Sequence, residues 1–400
     1  ASPPPTRGTR ERLHAYGNTP WLHAVADKVS SAFASVPWKL YLVRRAGAGP
    51  ALPARMIQRA AFADRRKALD AVHARGDLVE VEDHPLLRAI DAANPYHTGQ
   101  AMRKLWLLHY DIAGDAFLLK ERDGLGTTAA LWPIPPHWIM RTPTVDTPSY
   151  RVGFAGWHGE IPDTEFFWVS RPNPEQPYGR GIGIAQALAD EIETDEYAAK
   201  MTRQMFLNSA RPDFLIYPKE GQGRMPWLDS QRDRLEETWR AEHGGFWRAF
   251  KPKFLTREVG VHEFAETNLR QLQFVQLREF ERDMIYAVYG GVPPELMGVI
   301  ENSNRATIQA ASYLFARWVL VPRLEFFRAA MQERLVPEYD PRLILDYVSP
   351  VEDDAEMGLK AASEAAWALT VDEWRAMAGQ APSDDVAAGK LHAMPFGFRF

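Results

Sequence analysis

Between Asn268 and Asp340 the sequence carries two long amphipathic helical patterns joined by one proline-marked loop, and any fold has to accommodate that hairpin. In the first pattern Leu269, Leu272, Val275, Phe280, Met284 and Val288 recur mostly at three- and four-residue intervals, the period of a helix with one apolar face. Gly290-Gly291 follows, and glycine most readily takes the left-handed conformation that ends a helix. From Val292 to Thr307 a loop is expected. Pro293-Pro294 cannot sustain a regular hydrogen-bond ladder, and Asn302, Ser303 and Asn304 supply turn-forming and capping side chains. The helical period then resumes through Leu324, Phe327 and Met331, predicting a helix of nearly thirty residues that Pro322 kinks without ending.

Composition removes several kinds of chemistry. With no cysteine in 400 residues, disulfides, a thiol nucleophile and cysteine-ligated metals are excluded. The eleven histidines show no H-x-H or H-E-x-x-H spacing, no G-x-S-x-G surrounds a serine, and no lysine precedes Ser or Thr as a Walker A motif requires. Gly179-Arg180-Gly181-Ile182-Gly183 could cradle a phosphate ahead of a helix, yet it lacks the G-x-G-x-x-G spacing. A tight turn feeding that helix is the better reading. The acidic pairs Asp353-Asp354 and Asp384-Asp385 read as exposed charge or helix caps rather than as an acid and a base. No catalytic residue, cofactor or metal is therefore expected.

The 46% apolar and 12% aromatic content predicts a well-folded chain of two or three domains, or one domain with insertions. No apolar run nears about eighteen residues and no signal-peptide pattern is present, so a soluble, unsecreted protein without a membrane partner is expected. A formal net charge of −5 argues against a tight grip on nucleic acid, because neutralising many phosphates demands a basic stripe.

Along the chain, Trp21 to Ser35 reads as a helix with Leu22, Val25, Val29 and Phe33 on one face. The following Val-Pro-Trp-Lys-Leu-Tyr-Leu-Val alternates as a strand, residues 46–55 form a loop, and 56–76 are helical. Asn94-Pro95 sets a turn, Thr98 caps a helix starting near Gly99, Gly114 ends it, and a strand runs from Ala116 to Arg122. Prolines mark Leu131 to Ile139 as an edge strand or bulge, and Val152 to Val169 reads as two short strands. Residues 20–170 thus predict a compact α+β domain. The helix from Ile184 to about Ser209 carries Asp190, Glu191, Glu193, Asp195 and Glu196, which by themselves read as a solvated acidic face. A strand at Phe214 to Tyr217, a helix at Leu228 to Glu242 and strands at Lys253 to Arg257 and Val261 to Phe264 fill the interval before the hairpin. Its loops carry Lys219, Arg224, Arg248, Lys251 and Lys253. Val351 to Ala368 reads as a helix, and Thr370-Val371-Asp372-Glu373 as the capping box of another.

Several of these stretches together resemble the portal proteins of tailed bacteriophages, of the HK97-like type. Arg282 followed by Gly291-Val292-Pro293-Pro294-Glu295-Leu296-Met297-Gly298, a polar loop at Asn302 to Arg305 and a long helix with Val321-Pro322 reproduce one run of family motifs. His84-Pro85-Leu86-Leu87, Asn94-Pro95-Tyr96 and Gly114-Asp115-Ala116-Phe117-Leu118 reproduce another, with Asp115 where the family usually has Asn. Tyr178-Gly179 and Phe206-Leu207-Asn208-Ser209 also match, with Gly181 in place of Ser and Ser209 in place of Gly.

The resemblance implies an α+β portal fold: a wing at residues 1–183, stem helices at 184–210 and 268–290, a small α/β clip at 211–267, a tunnel loop at 291–307, a long kinked helix at 308–340, and a helical C-terminal crown region and tail at 341–400. The second stem helix would be roughly 30 to 35 Å long. It further implies a homo-oligomeric ring, usually of twelve subunits, at one capsid vertex of the virion, assembled in the host cytoplasm. Double-stranded DNA would be packaged and ejected through it without sequence preference. The large terminase ATPase, the major capsid protein and a head-completion or adaptor protein would be its partners.

On that implication Glu295, Val299, Ile300, Glu301, Asn302, Ser303, Asn304 and Arg305 face DNA, although Arg305 could equally pair with Glu301 at i, i+4. The five acidic residues of the first stem helix become a collar, and the basic clip loops are either a docking surface or plain surface charge. Another ring-forming head-tail connector and a soluble hydrolase are the competing expectations.

Overall fold

Helix α2 (Pro20–Ser35) begins with proline in its first turn, where the missing N–H is no loss. Leu22, Val25, Val29 and Phe33 form its inner stripe, each at 0% exposure, as their spacing predicts. The structure, a computed structural model, describes residues 8–43, 54–74, 78–124, 126–207, 214–218, 259–263, 274–298 and 305–351, with a few single positions elsewhere. The expected strand at 253–257 lies outside them, as do most residues of the expected helices at 228–242 and 351–368 and Glu373 of the 370–373 capping box.

Around α2 gather α1 (Thr9–Asn18), α5 (Pro85–Asp91), α6 (Gly99–Ala113) and three small sheets. The first sheet holds β1 (Trp38–Val43), β2 (Leu78–Glu80) and β11 (Leu343–Tyr347) in the order β11-β1-β2. In the second, β3 (Asp115–Arg122) lies between β4 (Thr128–Ile134) and β8 (Phe166–Ser170). The third is β5 (Ile139–Arg141), β6 (Ser149–Phe154) and β7 (Trp157–Pro162). Pro133, opposite Leu118, sits on the edge strand β4, where a missing N–H is tolerated. Two strands are expected within Val152 to Val169, but three are present. The tight turn at Ala155-Gly156, both at positive φ, and the 3-10 turn Asp163–Glu165 each reverse the chain. The helical stretch near 56–76 is likewise two helices, α3 (Ala54–Arg59) and α4 (Phe62–Ala74).

Helix α6 follows its sequence signals closely. The Thr98 hydroxyl accepts from the Ala101 N–H, and Gly114 ends the helix at φ 88°. Asp115 and Gly181, beside the end of this helix, are in contact with each other. Asp115 is buried and accepts from the Gly181 N–H (3.1 Å), Trp168 Nε1 (3.0 Å) and Arg180 Nε (2.9 Å). A Cβ on Gly181 would collide with the Gly114 carbonyl oxygen, and one on Gly183 with that of Ile112. These glycines let the chain pass against the end of α6; close backbone packing, not a phosphate, explains them.

The long helix after the loop runs as α10 (Arg305–Leu314), a π-helical stretch at Phe315–Leu320 and α11 (Val321–Arg334). Pro322 is accommodated by a change of register. The Val321 N–H reaches back five residues to the Ala316 carbonyl, and the next donor in that register would be Pro322, which has none. Phe327, at 0% exposure, packs its ring against Trp106 (4.2 Å), Tyr110 (5.1 Å) and Phe33 (5.2 Å), so this helix is central to the core. The chain then returns in β11 against β1, with Leu345 opposite Leu40, both at 0% exposure. Residues 343–347, expected in a separate C-terminal region, therefore complete a sheet of the N-terminal body. Gln332 pins the strand by donating to the Leu343 carbonyl (3.0 Å) and accepting from the Leu345 N–H (2.8 Å).

Arg65 on α4 joins this return. Its side chain is fully buried, with Nε and Nη2 on Asp346 (3.1 and 2.9 Å) and Nη1 on Glu325 (2.9 Å), which also accepts from Tyr347 Oη (2.8 Å). Burial alone would raise the Glu325 carboxyl, but Arg65 holds it below the ordinary glutamate value. Arg65→Met leaves buried Asp346 without its cation and Glu325 with only Arg328 and Tyr347, and should destabilise the chain by about 3–5 kcal/mol at neutral pH, read as a lower urea midpoint. Because a depressed carboxyl stabilises above its unfolded value and loses that effect as pH falls, the gap between wild type and variant should narrow below about pH 4.

Candidate functional site

Helices α7 (Ile184–Ala187) and α8 (Ala189–Leu207) are separated only by Leu188, and α8 packs against α9 (Phe274–Val288). Between them the chain forms an antiparallel pair, β9 (Phe214–Pro218) with β10 (Val259–Glu263). Lys219, Arg224, Arg248, Lys251 and Lys253 lie outside the described residues, as do 268–273 ahead of α9.

The buried face of α9 is not the one its strongest apolar spacing suggests. Phe280 is 59% exposed, whereas Glu281, Ile285, Tyr286 and Tyr289 are buried. The helix is turned by about one residue, which places a carboxylate in the seam with α8. Asp195, read as part of a solvated acidic face, is buried there too and accepts from Arg278 Nε at 3.0 Å. Glu196 lies 3.6 Å from Lys200, Asp190 is exposed, and Glu191 and Glu193 are half-buried. The five acidic residues thus divide between a helix seam and an outer face. Glu281 Oε2 has no hydrogen-bond partner among the described residues, and burial, then the charges of Glu191 and Asp195, raise its carboxyl above the ordinary value.

Past α9 the chain makes the turn that its glycines predict. Gly290 and Gly291 have φ of 103° and 76°, and the N–H groups of Gly291 and Val292 return to the Tyr286 carbonyl (3.0 and 3.1 Å). Pro294–Met297 then forms a 3-10 turn ending at Gly298, φ 83°. Val299, Ile300, Glu301, Asn302, Ser303 and Asn304 lie outside the described residues, and α10 begins at Arg305. Glu295 stands half-exposed in the turn.

The α9 end ahead of this loop is clamped by residues that the sequence pattern does not reveal. Arg323, one residue past the proline, donates to the Tyr289 carbonyl (3.1 Å) at the end of α9 and to the Val319 carbonyl (2.9 Å) in the π-helical stretch. Its Nε donates to Asp111 of α6 (3.0 Å), a carboxylate that also accepts from Arg171 Nη1 (3.2 Å). Asp111 is 212 residues from Arg323 in sequence, and no spacing could have paired them. Among the described residues no group of histidines and carboxylates is placed to hold a metal, and no helix is long and apolar enough to cross a membrane.

This mixed helix-and-sheet fold matches phage portal structures. The fold superposes on a chain from the neck of a native gene transfer agent particle with a TM-score of 0.63 at 17% identity, covering 94% of each chain. It superposes on an HK97-family phage portal protein from Corynebacterium diphtheriae with a TM-score of 0.54 at 12% identity, covering 87% of this chain and 97% of that one. The phage portal protein family model matches residues 65–379, and the chain belongs to that family of structural, non-enzymatic proteins, in its HK97-like branch. The portal protein of Enterobacteria phage HK97 is 21% identical over 290 residues, 66% of this chain and 63% of its own length. Uncharacterised proteins of Rickettsia felis and Rickettsia bellii are each 22% identical over 209 and 206 residues, and the chain spans about half the length of these curated relatives.

The seam between α8 and α9 yields a pH test. A carboxyl raised in the folded state leaves stability intact below its unfolded value, about pH 4, and lowers stability as pH rises through its folded value. Glu281→Gln removes that loss. The variant should melt above wild type at pH 7 and level with it near pH 3, as followed by circular dichroism.

Proposed function

We propose that copies of this chain close into a ring at one capsid vertex and that double-stranded DNA passes along its axis during packaging and ejection. The observation that carries the proposal is the clamped loop of a portal-family chain. Arg323 fastens the end of α9 and the long helix at Val319 to one buried carboxylate, so the two helices that flank the loop are tied to the body. A ring supplies the axis toward which such a loop points. The relatives fit this reading: a similar chain sits in a particle neck described with twelvefold symmetry.

In this role the loop, with Glu295, Val299, Ile300, Glu301, Asn302, Ser303, Asn304 and Arg305, meets DNA through phosphates and groove shape, because every packaged sequence has to pass. One arginine per subunit beside two glutamates keeps the grip shallow. Asp190, Glu191 and Glu193 add negative potential that repels phosphate and centres the duplex. Asp195 is committed to Arg278, so it contributes to holding the helix pair together rather than to the collar. The segment between β9 and β10, with its basic loops, is the docking platform for the terminase ATPase and for head-completion proteins, and the outer body meets the major capsid protein. Energy for movement comes from the motor, since this chain carries no nucleotide motif.

Replacing residues 299–305 with a Gly and Ser linker should leave rings of unchanged mass, measured by native mass spectrometry, while particles assembled with the variant package or retain less DNA. Full genome content in such particles would refute the loop assignment. A wild-type chain that stays a single subunit under all assembly conditions would refute the ring.

A further inference from the structure

A row of large apolar side chains is exposed along the long helix. Leu314 (48%), Trp318 (66%) and Phe326 (36%) stand four and eight residues apart, and exposed Ala310 and Pro322 complete the four-residue repeat that keeps one side of a helix. Scattered exposed apolar residues are ordinary, but a continuous row crowned by an exposed tryptophan marks a contact surface. Beside the row lie Tyr313 (49%) and exposed Arg317, which has no hydrogen-bond or ion-pair partner among the described residues.

A second surface lies at the root of the proline loop. A groove of about 480 Å³ is lined by Arg282, Tyr286, Val292, Pro293, Pro294 and Glu295. Its floor is largely apolar, and its rim is acidic at Asp283 and Glu295. Asp283 is paired with Arg282 at 2.9 Å, whereas Glu295 has no side-chain partner among the described residues. Tyr286 Oη is buried and lacks a hydrogen-bond partner among them as well. Among the described residues the groove thus keeps one unanswered hydroxyl and one unanswered carboxylate.

We infer that the Leu314–Trp318 row of one copy docks in the Tyr286–Glu295 groove of the next copy, with Arg317 against Glu295. The two surfaces complement each other in kind: an apolar ridge with a free cation, and an apolar groove with a free anion. They share no residue, so the contact is heterologous and repeats from copy to copy, which generates a ring when the rotation closes. The inference rests on the ring reading and deepens it by naming the residues of the lateral contact. The groove is also the root of the loop, so each copy's long helix braces the neighbour's loop.

The test is native mass spectrometry and dilution of the full chain as wild type, Arg317→Glu, Glu295→Arg, the double charge exchange, and Trp318→Ser. Arg317 and Trp318 are exposed and Glu295 is half-exposed, and circular dichroism of each variant checks that the chain is folded. The two single charge reversals and Trp318→Ser should each raise the concentration needed for rings by roughly tenfold or more. The double exchange should recover most of the loss, which a general surface effect would not do. Rings that persist in the folded single variants at wild-type concentrations overturn the inference while leaving the ring reading intact. So does a variant that forms normal rings but fails to incorporate into capsids, since the row would then face another protein. If wild type forms no ring, the ring reading itself fails.

Discussion

A single buried carboxylate holds three distant parts of this chain in register. Asp111 lies on α6 and is 2% exposed, a position where an unpaired charge would be strongly destabilising. Arg171, from the strand exit before the glycine turn, and Arg323, from the long helix, neutralise it. Arg323 then uses its remaining donors on main-chain carbonyls of α9 and of the π-helical stretch. A planar guanidinium with five donors can serve a carboxylate and two carbonyls together, and an ammonium on a flexible stem cannot fix the same three directions. The position of the end of α9 relative to the body follows from this geometry.

The same residue explains why the helix can afford its proline. A proline within a helix removes one main-chain donor and pushes on the preceding turn, and here the π-helical stretch absorbs the displacement. Arg323, immediately after it, donates to Val319 within that stretch. The irregular segment is thus fastened at its weakest point and keeps Phe327 in contact with Trp106 and Phe33. On the proposed reading, a helix that passes load from a DNA-facing loop into the body would be held firm at the turn where its ladder is interrupted.

Much of the fold was legible where a local rule decides the outcome. Thr98 and Gly114 bound α6, the apolar stripe of α2 is buried as spaced, and Gly290-Gly291 ends α9 because both residues take positive φ. Legibility ended where tertiary packing chose between near-equal patterns. On α9 the row Phe280, Met284, Val288 competes with Ile285, Tyr286 and Tyr289, and the second won because two tyrosines and an isoleucine fill the core while Phe280 faces out. Asp195 looked like one more member of a charged face, and only the presence of Arg278 across the seam distinguishes it. Likewise, nothing in the spacing of residues around 343–347 told that this strand returns to β1 some three hundred positions earlier.

Asp115 and Gly181 show why neighbouring residues have to be read together. Asp115 brings a charge into a site that is 1% exposed, and Gly181 brings no side chain at all. Taken together they form one arrangement. The carboxylate accepts from the Gly181 N–H, and the charge is met by Arg180 from the adjacent position. The glycine allows the approach that a Cβ would block, because that Cβ would fall on the Gly114 carbonyl. An aspartate here without the neighbouring arginine would leave a buried anion underpaired, and a serine at 181 without some shift of backbone would not fit. Asp115, Arg180 and Gly181 thus hold the end of α6 against the turn into α7 as one arrangement.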